Sequence, residues 1–329
     1  MKILFILPSN IGDIVLATPA IALLRQHHSE ALFYLMVSAF HDNPPSLGLF
    51  QNTKKFYEKI FVYNKKSKLK EKIALIQSLR QYEFDEIIDL KNSFLPFLLA
   101  KIKIRKQLLF KFYWFILNYL KGYKNKYIAC FYFDLLKKLG FQGEFRFEVF
   151  PGVSDSHEIE QFHVNPHKKI ILISPGSKST TKRWPQEYFT QLINNLLKKG
   201  SYQVLLVGDE SDAIIANNIM AHFTRDIDVL NLAGKTTLCE LYHLIKKAHL
   251  VITNDSAPLH FAVAADVPSL SIFGPSDYKK YAPPFSKHSI VKMDLECLPC
   301  KKSLCRYDVE KPPCMINLSP SEVLKKIYA

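Results

Sequence analysis

Long apolar runs alternate with amphipathic segments along the whole chain. The first run, KILFILPS over 2–9, is apolar at consecutive positions and ends in turn residues, as in a parallel strand buried on both faces. A helix is predicted next, with Thr18 as N-cap and Pro19 at its first position, or with an alternative start at Asp13. The first half is further predicted to contain strands at 31–38, 59–64 and 84–90 and a helix at 68–82.

The second half repeats the order of strand and helix more regularly. Pro185 and Gly200 bound one helix, and Thr237 with Glu240 fits a capping box at the start of another. Alternation of this kind predicts parallel sheets with right-handed crossovers. The predicted strands are 168–177, 202–209, 228–234, 250–255 and 268–276, and the predicted helices are 185–200, 210–223, 237–249 and 258–266.

A polar stretch at 150–169 that contains Pro and Gly separates the two halves, as is typical of a domain boundary. The 329 residues are too many for one ordinary core and suit two domains. We therefore predict an α/β protein of two Rossmann-like, doubly wound parallel-sheet domains, 1–155 and 156–329, that face each other across a cleft. Open α/β sheets bind ligands at the carboxyl ends of their strands, so the loops after the strands are the candidate sites.

Composition and charge narrow the class of partner. Hydrophobic residues make up 48% of the chain and charged residues 22%, which indicates a globular protein. The formal net charge of +14 favours an anionic partner such as nucleic acid, an acidic membrane or a phosphorylated ligand. No apolar segment reaches the roughly 18 to 20 residues of a membrane span. Gly12 and Asp13 interrupt the apolar start, which therefore differs from a signal peptide, and we expect a cytoplasmic protein.

The first candidate loop is SNIGD, which follows the first strand. Ser9, Asn10 and Gly12 would let the backbone approach a ligand closely, and Asp13 would stand at or just before a helix N-terminus. The helix dipole stabilises a carboxylate there in its anionic form. From this pattern alone, Asp13 either caps the helix or acts as a base.

The second candidate loop, SPGSKSTTKRWP over 174–185, lies between a strand and a helix. Its backbone N–H groups and the side chains of Ser177, Lys178 and Lys182 would surround a helix N-terminus, which is an anion site. It is not a Walker A loop, because no second glycine precedes Lys182 and Arg183 stands at the Ser/Thr position. The pattern favours a phosphate or diphosphate; a basic surface loop is the alternative.

Two more loops place polar side chains at strand ends. In TNDSAPLH, Asp255 and Ser256 follow a strand, Ala257 opens a helix and His260 lies one turn further. These residues could contact a ligand. Alternatively, they could cap the helix, with His260 as a half-buried histidine that has no ligand. In VGDES, Glu210 could accept hydrogen bonds from ribose hydroxyls or could be a solvated acid in a first helical turn.

Motifs for metal-dependent or dinucleotide chemistry are weak. The segment DID over 226–228 matches the D-x-D of some metal-dependent sugar transferases, but it lies where surface charge is commonplace. The G-x-G-x-x-G fingerprint of nicotinamide-dinucleotide enzymes is absent from the sequence. We therefore predict no metal and no cofactor at the catalytic site.

The cysteine count does not suggest a secreted disulfide scaffold in a chain of this size. Two cysteines, Cys130 and Cys239, are predicted core residues. The other four could form a tetrahedral zinc site, although the second pair is spaced irregularly for a zinc ribbon; reduced thiols and disulfides are the alternatives. These four lie within 18 residues and are Cys297, Cys300, Cys305 and Cys314.

Together these segments resemble the bacterial heptosyltransferase family, inverting glycosyltransferases that move heptose from ADP-heptose onto the lipopolysaccharide inner core. The likeness runs along the whole sequence and is densest over 170–276. It implies the GT-B fold, with the acceptor on the N-terminal domain and the nucleotide sugar on the C-terminal domain. The matching segments are GDIVLATPAIALLR, FDEIIDL, SPGSKSTTKRWPQEYF, VGDES, NLAGKTTLCELYHLIKKAHLVITNDSAPLHFAVAADVPSLSIFGPSD and CLPC.

The resemblance implies a role for each loop. Asp13 is expected to deprotonate the acceptor hydroxyl as its oxygen attacks the anomeric carbon opposite the leaving ADP. Ser177, Lys178 and Lys182 are expected to cradle the diphosphate, although Lys178 stands where a hydroxyl residue is usual; no metal is required. The other expected substrate contacts are Ser9, Asn10 and Gly12 beside the base, Glu210 at the ribose, Asp255, Ser256 and Ala257 (an alanine where glycine is usual) at the sugar and phosphates, and His260 at a phosphate.

The stretch 101–138 contains ten Lys or Arg residues, one acidic residue and many aromatics. Lysines among aromatics suit an anionic lipid surface. We therefore expect an anionic lipopolysaccharide precursor as acceptor and peripheral contact with the inner face of the cytoplasmic membrane; an ordinary basic helical pair is the alternative. A transferase for another nucleotide sugar, a non-catalytic nucleotide-sugar sensor and a nucleic-acid-binding protein are competing functions, but no RNA motif is present, so we predict no nucleic-acid partner.

Overall fold

The computed structural model describes residues 1–40, 42–50, 56–91, 99, 126–149, 160–223, 228–308 and 312–328. The chain divides into two compact units, Met1–Ser154 and Asp155–Ala329. Each unit contains its own sheet, and all strand pairs within the two sheets are parallel. The predicted α/β class with two parallel sheets is therefore confirmed. Among the described residues, no helix combines the length and apolar character needed to traverse a bilayer.

The first sheet has four strands in the order β3-β2-β1-β4. β1 lies inside the sheet and is buried from Ile3 to Ile6, which explains its unbroken apolar sequence. Ile6 pairs with Met36 on one side and Asp89 on the other, so the loops after these strands emerge at one edge. The strands are β1 Lys2–Ile6, β2 Leu32–Ala39, β3 Lys59–Asn64 and β4 Glu86–Asp89.

The helix after β1 begins earlier than predicted from its proline. It spans Ile11–His27 with Asn10 as N-cap, so the predicted start at Thr18 is wrong and the alternative start at Asp13 is two residues late. Pro19 lies inside the helix. Pro19 has no N–H for the carbonyl of Val15, four residues earlier. The Thr18 hydroxyl donates to that carbonyl at 2.8 Å instead. The described helices of this unit are α1 Ile11–His27, α2 Leu69–Gln81 and α3 Ile128–Lys138, with a 3-10 helix at Pro45–Phe50.

The second sheet has six strands in the order β10-β9-β8-β5-β6-β7. Its five predicted strands are present, and the chain adds a sixth that the mixed polarity of HSIVK did not indicate. β5 lies between β8 and β6, so the loops after these three strands are neighbours. The strands are β5 Lys169–Ser174, β6 Tyr202–Leu206, β7 Val229–Asn231, β8 Leu250–Asn254, β9 Ser269–Phe273 and β10 His288–Lys292.

The helices of the second unit follow the predicted order. The capping box is confirmed: the Glu240 N–H donates to Thr237 Oγ1 at 3.2 Å and the Thr237 N–H donates to Glu240 Oε2 at 2.6 Å. Three C-terminal helices were not predicted. The helices are α4 Gln186–Leu197, α5 Ala213–Met220, α6 Leu238–Lys247, α7 Ala257–Ala264, α8 Tyr278–Tyr281, α9 Pro313–Ile316 and α10 Pro320–Tyr328, with 3-10 helices at Glu160–Phe162, Thr180–Lys182 and Glu210–Asp212.

Several predictions concern segments that the structure describes only in part. Of the basic aromatic stretch 101–138, residues 101–125 lie outside the described residues. In DID, only Asp228 is described, and its carboxylate lies 2.5 Å from Lys168 Nζ. Of the two predicted core cysteines, Cys239 is buried, whereas Cys130 is only half-buried. The prediction that Cys130 is a core residue is therefore wrong, and that for Cys239 is confirmed.

Candidate functional site

An ion pair joins the loops that follow β5 and β8. Lys182 Nζ lies 2.7 Å from Asp255 Oδ2, because the two strands are neighbours in the sheet. The Asp255 side chain is only 5% exposed and that of Lys182 is 32% exposed. A buried carboxylate needs a partner of opposite charge, and Lys182, whose side chain is partly exposed, provides it.

Asn254, which the sequence analysis missed, fixes the backbone of the β5 loop. Its amide nitrogen donates to the carbonyls of Pro175 and Gly176 at 2.8 and 3.2 Å. Its amide oxygen accepts from the backbone N–H of Trp184 at 3.1 Å. One fully buried amide thus holds both ends of the loop. The only local signal was a polar residue at the end of an apolar strand.

Trp184 anchors the loop to the core of the second unit. Its ring is buried and meets Phe189 edge-on, with the ring centres 4.8 Å apart. Its indole N–H donates to the carbonyl of Leu318 at 2.8 Å. Within the loop, Arg183 Nε donates to the carbonyl of Ser177 at 2.8 Å. Of the predicted cradle residues, Ser177 is buried, Lys182 is half-buried and Lys178 is exposed.

The loop after β6 presents Glu210 to solvent above a buried acid. Asp209 Oδ1 accepts the backbone N–H groups of Ser211 and Asp212 at 2.9 and 3.2 Å, so Asp209, not Glu210, caps this turn. The Asp212 carboxyl is buried. Burial, and secondly the charge of Asp209, raises its pKa, which a backbone hydrogen bond from Asp209 and the charge of Arg183 partly oppose.

The residues after β8 form the start of α7 and its first turn. Ser256 precedes α7 as its N-cap residue, but its side chain makes no capping hydrogen bond. Its hydroxyl lies 3.0 Å from Thr253 Oγ1 instead. Ala257 is the first residue of α7. His260 is buried one turn further, with its ring centre 6.3 Å from that of Tyr281.

In the first unit, Asp13 lies in the first turn of α1. Because Asn10 is the N-cap residue, Asp13 does not cap the helix. The Asn10 amide instead donates to Asp13 Oδ2 at 2.8 Å. Gly12 beside it is buried, whereas Ser9 and Asp13 are half-buried. This leaves a carboxylate with one oriented oxygen at the carboxyl end of β1.

Lysines and aromatic rings meet at the same edge of the first sheet. Lys91 Nζ lies 5.9 Å from the ring centre of Tyr63, and Lys65 Nζ lies 4.6 Å from that of Phe40. The pKa of Lys91 is lowered, first by burial and then by the charge of Lys65, while Asp89 acts in the opposite direction. Lysines at the carboxyl end of a sheet favour an anionic partner.

The four clustered cysteines surround one cavity in the second unit. Cys297, Cys300, Cys305 and Cys314 all line it, together with Thr181 of the β5 loop. All four thiols are free, so the disulfide alternative is excluded for this structure. As they stand in the described residues, no three His, Cys, Asp or Glu side chains converge closely enough to hold a metal ion.

Comparison with known proteins relates these loops to one family. The model of glycosyltransferase family 9 (heptosyltransferase) matches residues 72–310. Lipooligosaccharide heptosyltransferase 2 of Campylobacter jejuni is 29% identical over 340 residues, which cover 99% of this chain and 97% of the relative. Lipopolysaccharide heptosyltransferase 3 of Escherichia coli is 28% identical, with 83% of each chain covered.

Two solved structures have the same fold. The E. coli ADP-heptose lipopolysaccharide heptosyltransferase II matches with a TM-score of 0.73 at 23% identity, over 100% of this chain and 98% of that one. The E. coli heptosyltransferase WaaC with ADP-2-deoxy-2-fluoro heptose matches with a TM-score of 0.64 at 17% identity, over 100% and 99%. The GT-B fold class is thereby confirmed. Because the family model spans more than half of the chain, the protein belongs to glycosyltransferase family 9, the heptosyltransferases, and is a glycosyltransferase.

Proposed function

We propose that this enzyme transfers heptose from ADP-heptose to the inner core of lipopolysaccharide by an inverting, metal-independent mechanism. The names of the relatives support the donor and the acceptor. The observation that carries the donor half is the Lys182–Asp255 pair, which places a cation at the carboxyl ends of two neighbouring strands. Ligands of open α/β sheets bind at such ends.

In this proposal the donor lies against the loops after β5, β6 and β8. The hydroxyl and lysine groups of the β5 loop, Ser177, Lys178 and Lys182, bind the diphosphate. Lys182 offsets the negative charge that grows on the leaving ADP, which is the task a metal ion performs in other transferases. The remaining contacts are Glu210 at the ribose, Asp255, Ser256 and Ala257 at the sugar and phosphates, and His260 at a phosphate.

Asp13 is the proposed general base. A carboxylate is ionised at neutral pH and can accept the proton of the attacking acceptor hydroxyl. The Asn10 amide occupies Oδ2 and so leaves Oδ1 for that proton. Ser9 and Gly12 complete the substrate contacts on this side. Attack from the face opposite ADP inverts the configuration at the anomeric carbon.

The acceptor is an anionic lipopolysaccharide precursor, bound by the N-terminal domain, 1–155, while 156–329 binds the donor. Lys65 and Lys91, which both stand beside aromatic rings at the carboxyl end of the first sheet, support this assignment, because lysines attract carboxylate and phosphate groups. With a lipid-linked acceptor, the enzyme works in the cytoplasm as a peripheral protein on the inner face of the membrane. Nucleic acid is not among its partners.

The test is a transfer assay on the purified full-length chain. ADP-heptose and heptose-deficient lipopolysaccharide are supplied, ADP release is measured, and the product linkage is assigned by NMR. We expect ADP release that depends on the acceptor, an anomeric configuration opposite to that of the donor, and turnover that persists with EDTA. ADP-heptose should also raise the thermal midpoint more than UDP- or GDP-sugars do. Selective stabilisation by another nucleotide sugar, or binding without turnover, would reject the proposal.

A further inference from the structure

The side chain of Arg183 has hydrogen-bond donors that the described part of the chain does not use. A guanidinium carries five N–H groups in one plane. Its Nε donates to the carbonyl of Ser177 at 2.8 Å, and this is its one side-chain hydrogen bond among the described residues. No carboxylate of those residues lies within ion-pair distance of this half-buried side chain. Both Nη groups therefore remain for a ligand.

Arg183 and its neighbour Lys182 turn to opposite sides of the β5 loop. Lys182 Nζ lies 2.7 Å from Asp255, in the loop after β8. The charge of Arg183 instead acts on Asp212, in the loop after β6. The backbone of Arg183 is extended, with φ −85° and ψ 120°, a conformation in which successive side chains point in opposite directions. Since β5 lies between β8 and β6, the two cations flank the loop.

The loop after β6 is acidic and would repel an anion that had no cation beside it. It contains Asp209, Glu210 and Asp212 within four residues. Burial raises the pKa of the Asp212 carboxyl, and the positive charge of Arg183 opposes this rise. Repulsion between like charges is strong where water is partly excluded. A phosphate bound next to this loop therefore requires the positive charge that Arg183 supplies.

We propose that Arg183 binds the α-phosphate of the nucleotide-sugar donor, while Lys182 faces the β-phosphate. The inference rests on the proposed function, in which the ribose lies at Glu210 after β6 and the sugar lies at the loop after β8. The α-phosphate is bonded to the ribose and so falls on the β6 side. Two Nη groups match two oxygens of one phosphate in a bidentate contact, and the Ser177 carbonyl orients the guanidinium through Nε.

The two cations then affect different kinetic constants. Transfer breaks the bond between the anomeric carbon and an oxygen of the β-phosphate, so negative charge grows on the β-phosphate, which faces Lys182. The α-phosphate has the same charge before and during this step. Loss of Arg183 should therefore raise the KM of the donor with little change in kcat, whereas loss of Lys182 should also lower kcat.

The test is calorimetric titration of the full-length chain with adenosine, AMP and ADP. Arg183→Met removes the charge and keeps an unbranched side chain. It should weaken AMP and ADP binding by roughly 10-fold or more, the loss of a charged hydrogen bond, and leave adenosine binding unchanged. Lys182→Met should weaken ADP binding but not AMP binding. Arg183→Lys keeps the charge and should recover part of the loss. Arg306→Met, which replaces an exposed arginine of the same unit, is the control and should bind all three normally.

An unchanged affinity of Arg183→Met for AMP would overturn the proposal. An equal loss for adenosine and AMP would also overturn it, because the arginine would then act only on the conformation of the loop. Modification of the unaltered chain with phenylglyoxal, mapped by mass spectrometry, covers the case in which the variant fails to fold. AMP should protect Arg183 but not Arg306, and adenosine should protect neither. Modification of Arg183 at the same rate with and without AMP would contradict the contact.

These outcomes differ from a failure of the proposed function. A chain that prefers UDP to ADP rejects the proposed donor, and UMP and uridine then test Arg183 in the same way. A chain that binds ADP but transfers no heptose lacks the proposed activity and retains the phosphate contact. A chain that binds no nucleoside diphosphate would overturn both proposals.

Discussion

The Asp212 carboxylate occupies the space beside Gly176, so that a Cβ on Gly176 would overlap its Cγ and both of its oxygens. The same side chain closes on the next loop, where a Cβ on Gly208 would lie 2.7 Å from Asp212 Cβ. The buried side chain of Asp212 therefore lies between the loops after β5 and β6. Both positions must be glycine because the Asp212 side chain leaves no room for a Cβ atom at either. Two of the three proposed donor loops, those after β5 and β6, are packed together through this contact.

Gly176→Ala should therefore move the β5 loop. We expect a loss of about 1–3 kcal/mol in the free energy of unfolding, as for other overpacked sites, and weaker ADP binding. Denaturant titration and calorimetry measure the two effects. In an Asp212→Ala background the methyl group added at position 176 has room. The loss of unfolding free energy caused by Gly176→Ala should therefore be smaller in that background. An equal cost in both backgrounds would show that this contact is not the cause.

Lys182→Ala should weaken ADP binding by roughly 10- to 100-fold, which corresponds to the loss of a charged hydrogen bond of about 1.5–3 kcal/mol. The substitution also leaves buried Asp255 unpaired. Adding Asp255→Asn should recover stability without restoring affinity, which separates folding from binding. Lys198→Ala, an exposed lysine of the same unit, is the control and should bind ADP normally.

Asp13→Asn should lower turnover by about 10² to 10⁴, the usual contribution of a general base, and leave the Kd of ADP unchanged. The asparagine keeps an oxygen for the Asn10 amide but cannot take up the proton. Glu30→Gln removes an exposed acid near the end of α1 and should be as active as the original chain. Full activity of Asp13→Asn would eliminate the proposed base.

Thr18→Val should destabilise the first unit by about 1–3 kcal/mol, because the carbonyl of Val15 then loses its hydroxyl donor. The same hydroxyl accepts from the Glu148 N–H at 3.3 Å, so two bonds are removed. Thr190→Val is the control: among the described residues its hydroxyl makes one hydrogen bond, to the carbonyl of Gln186, in a helix that has no internal proline. Equal losses in denaturant titration for both variants would contradict this account of Pro19.

Acidification should destabilise the second unit through His288. Burial lowers the pKa of this histidine from 6.5 to about 4, with a smaller contribution from Lys287 against the opposing charge of Asp266. The unfolded chain takes up the proton at higher pH than the folded chain. The free energy of unfolding is therefore unaffected by this histidine above pH 6.5 and decreases as the pH falls toward 4. The decline should be on the order of 2 kcal/mol. His288→Gln should remove this part of the pH dependence; identical profiles would refute it.

Most strands and helices could be predicted because their apolar periodicity is local. The start of α1 was predicted only as an alternative: Pro19 signals a first helical turn and so favoured Thr18, whereas the alternative at Asp13 lies two residues from the observed start at Ile11. The contact of Thr18 with Val15 accommodates the proline inside the helix. β10 was missed because HSIVK is only partly buried at a sheet edge. Its assignment depends on pairing with β9, which lies outside any local pattern.

The candidate site was predictable where a residue sits in a strand-end loop. Lys182 and Asp255 were both identified, and the structure joins them. Asn254 and Asp212 were not, because their roles arise from which strands are neighbours. The order β8-β5-β6 brings their side chains to the β5 loop, and no spacing within the chain specifies that order.

The amide of Asn254 lies 79 residues from Pro175 and 70 from Trp184 along the chain, yet it bonds to both. The segment from Pro175 to Trp184 therefore does not hold its conformation by its own contacts alone. Grafted alone into another scaffold, it would lose the group that fixes its two ends and would sample many shapes. An engineer who wishes to transplant the loop from Pro175 to Trp184 must transplant β8 with it.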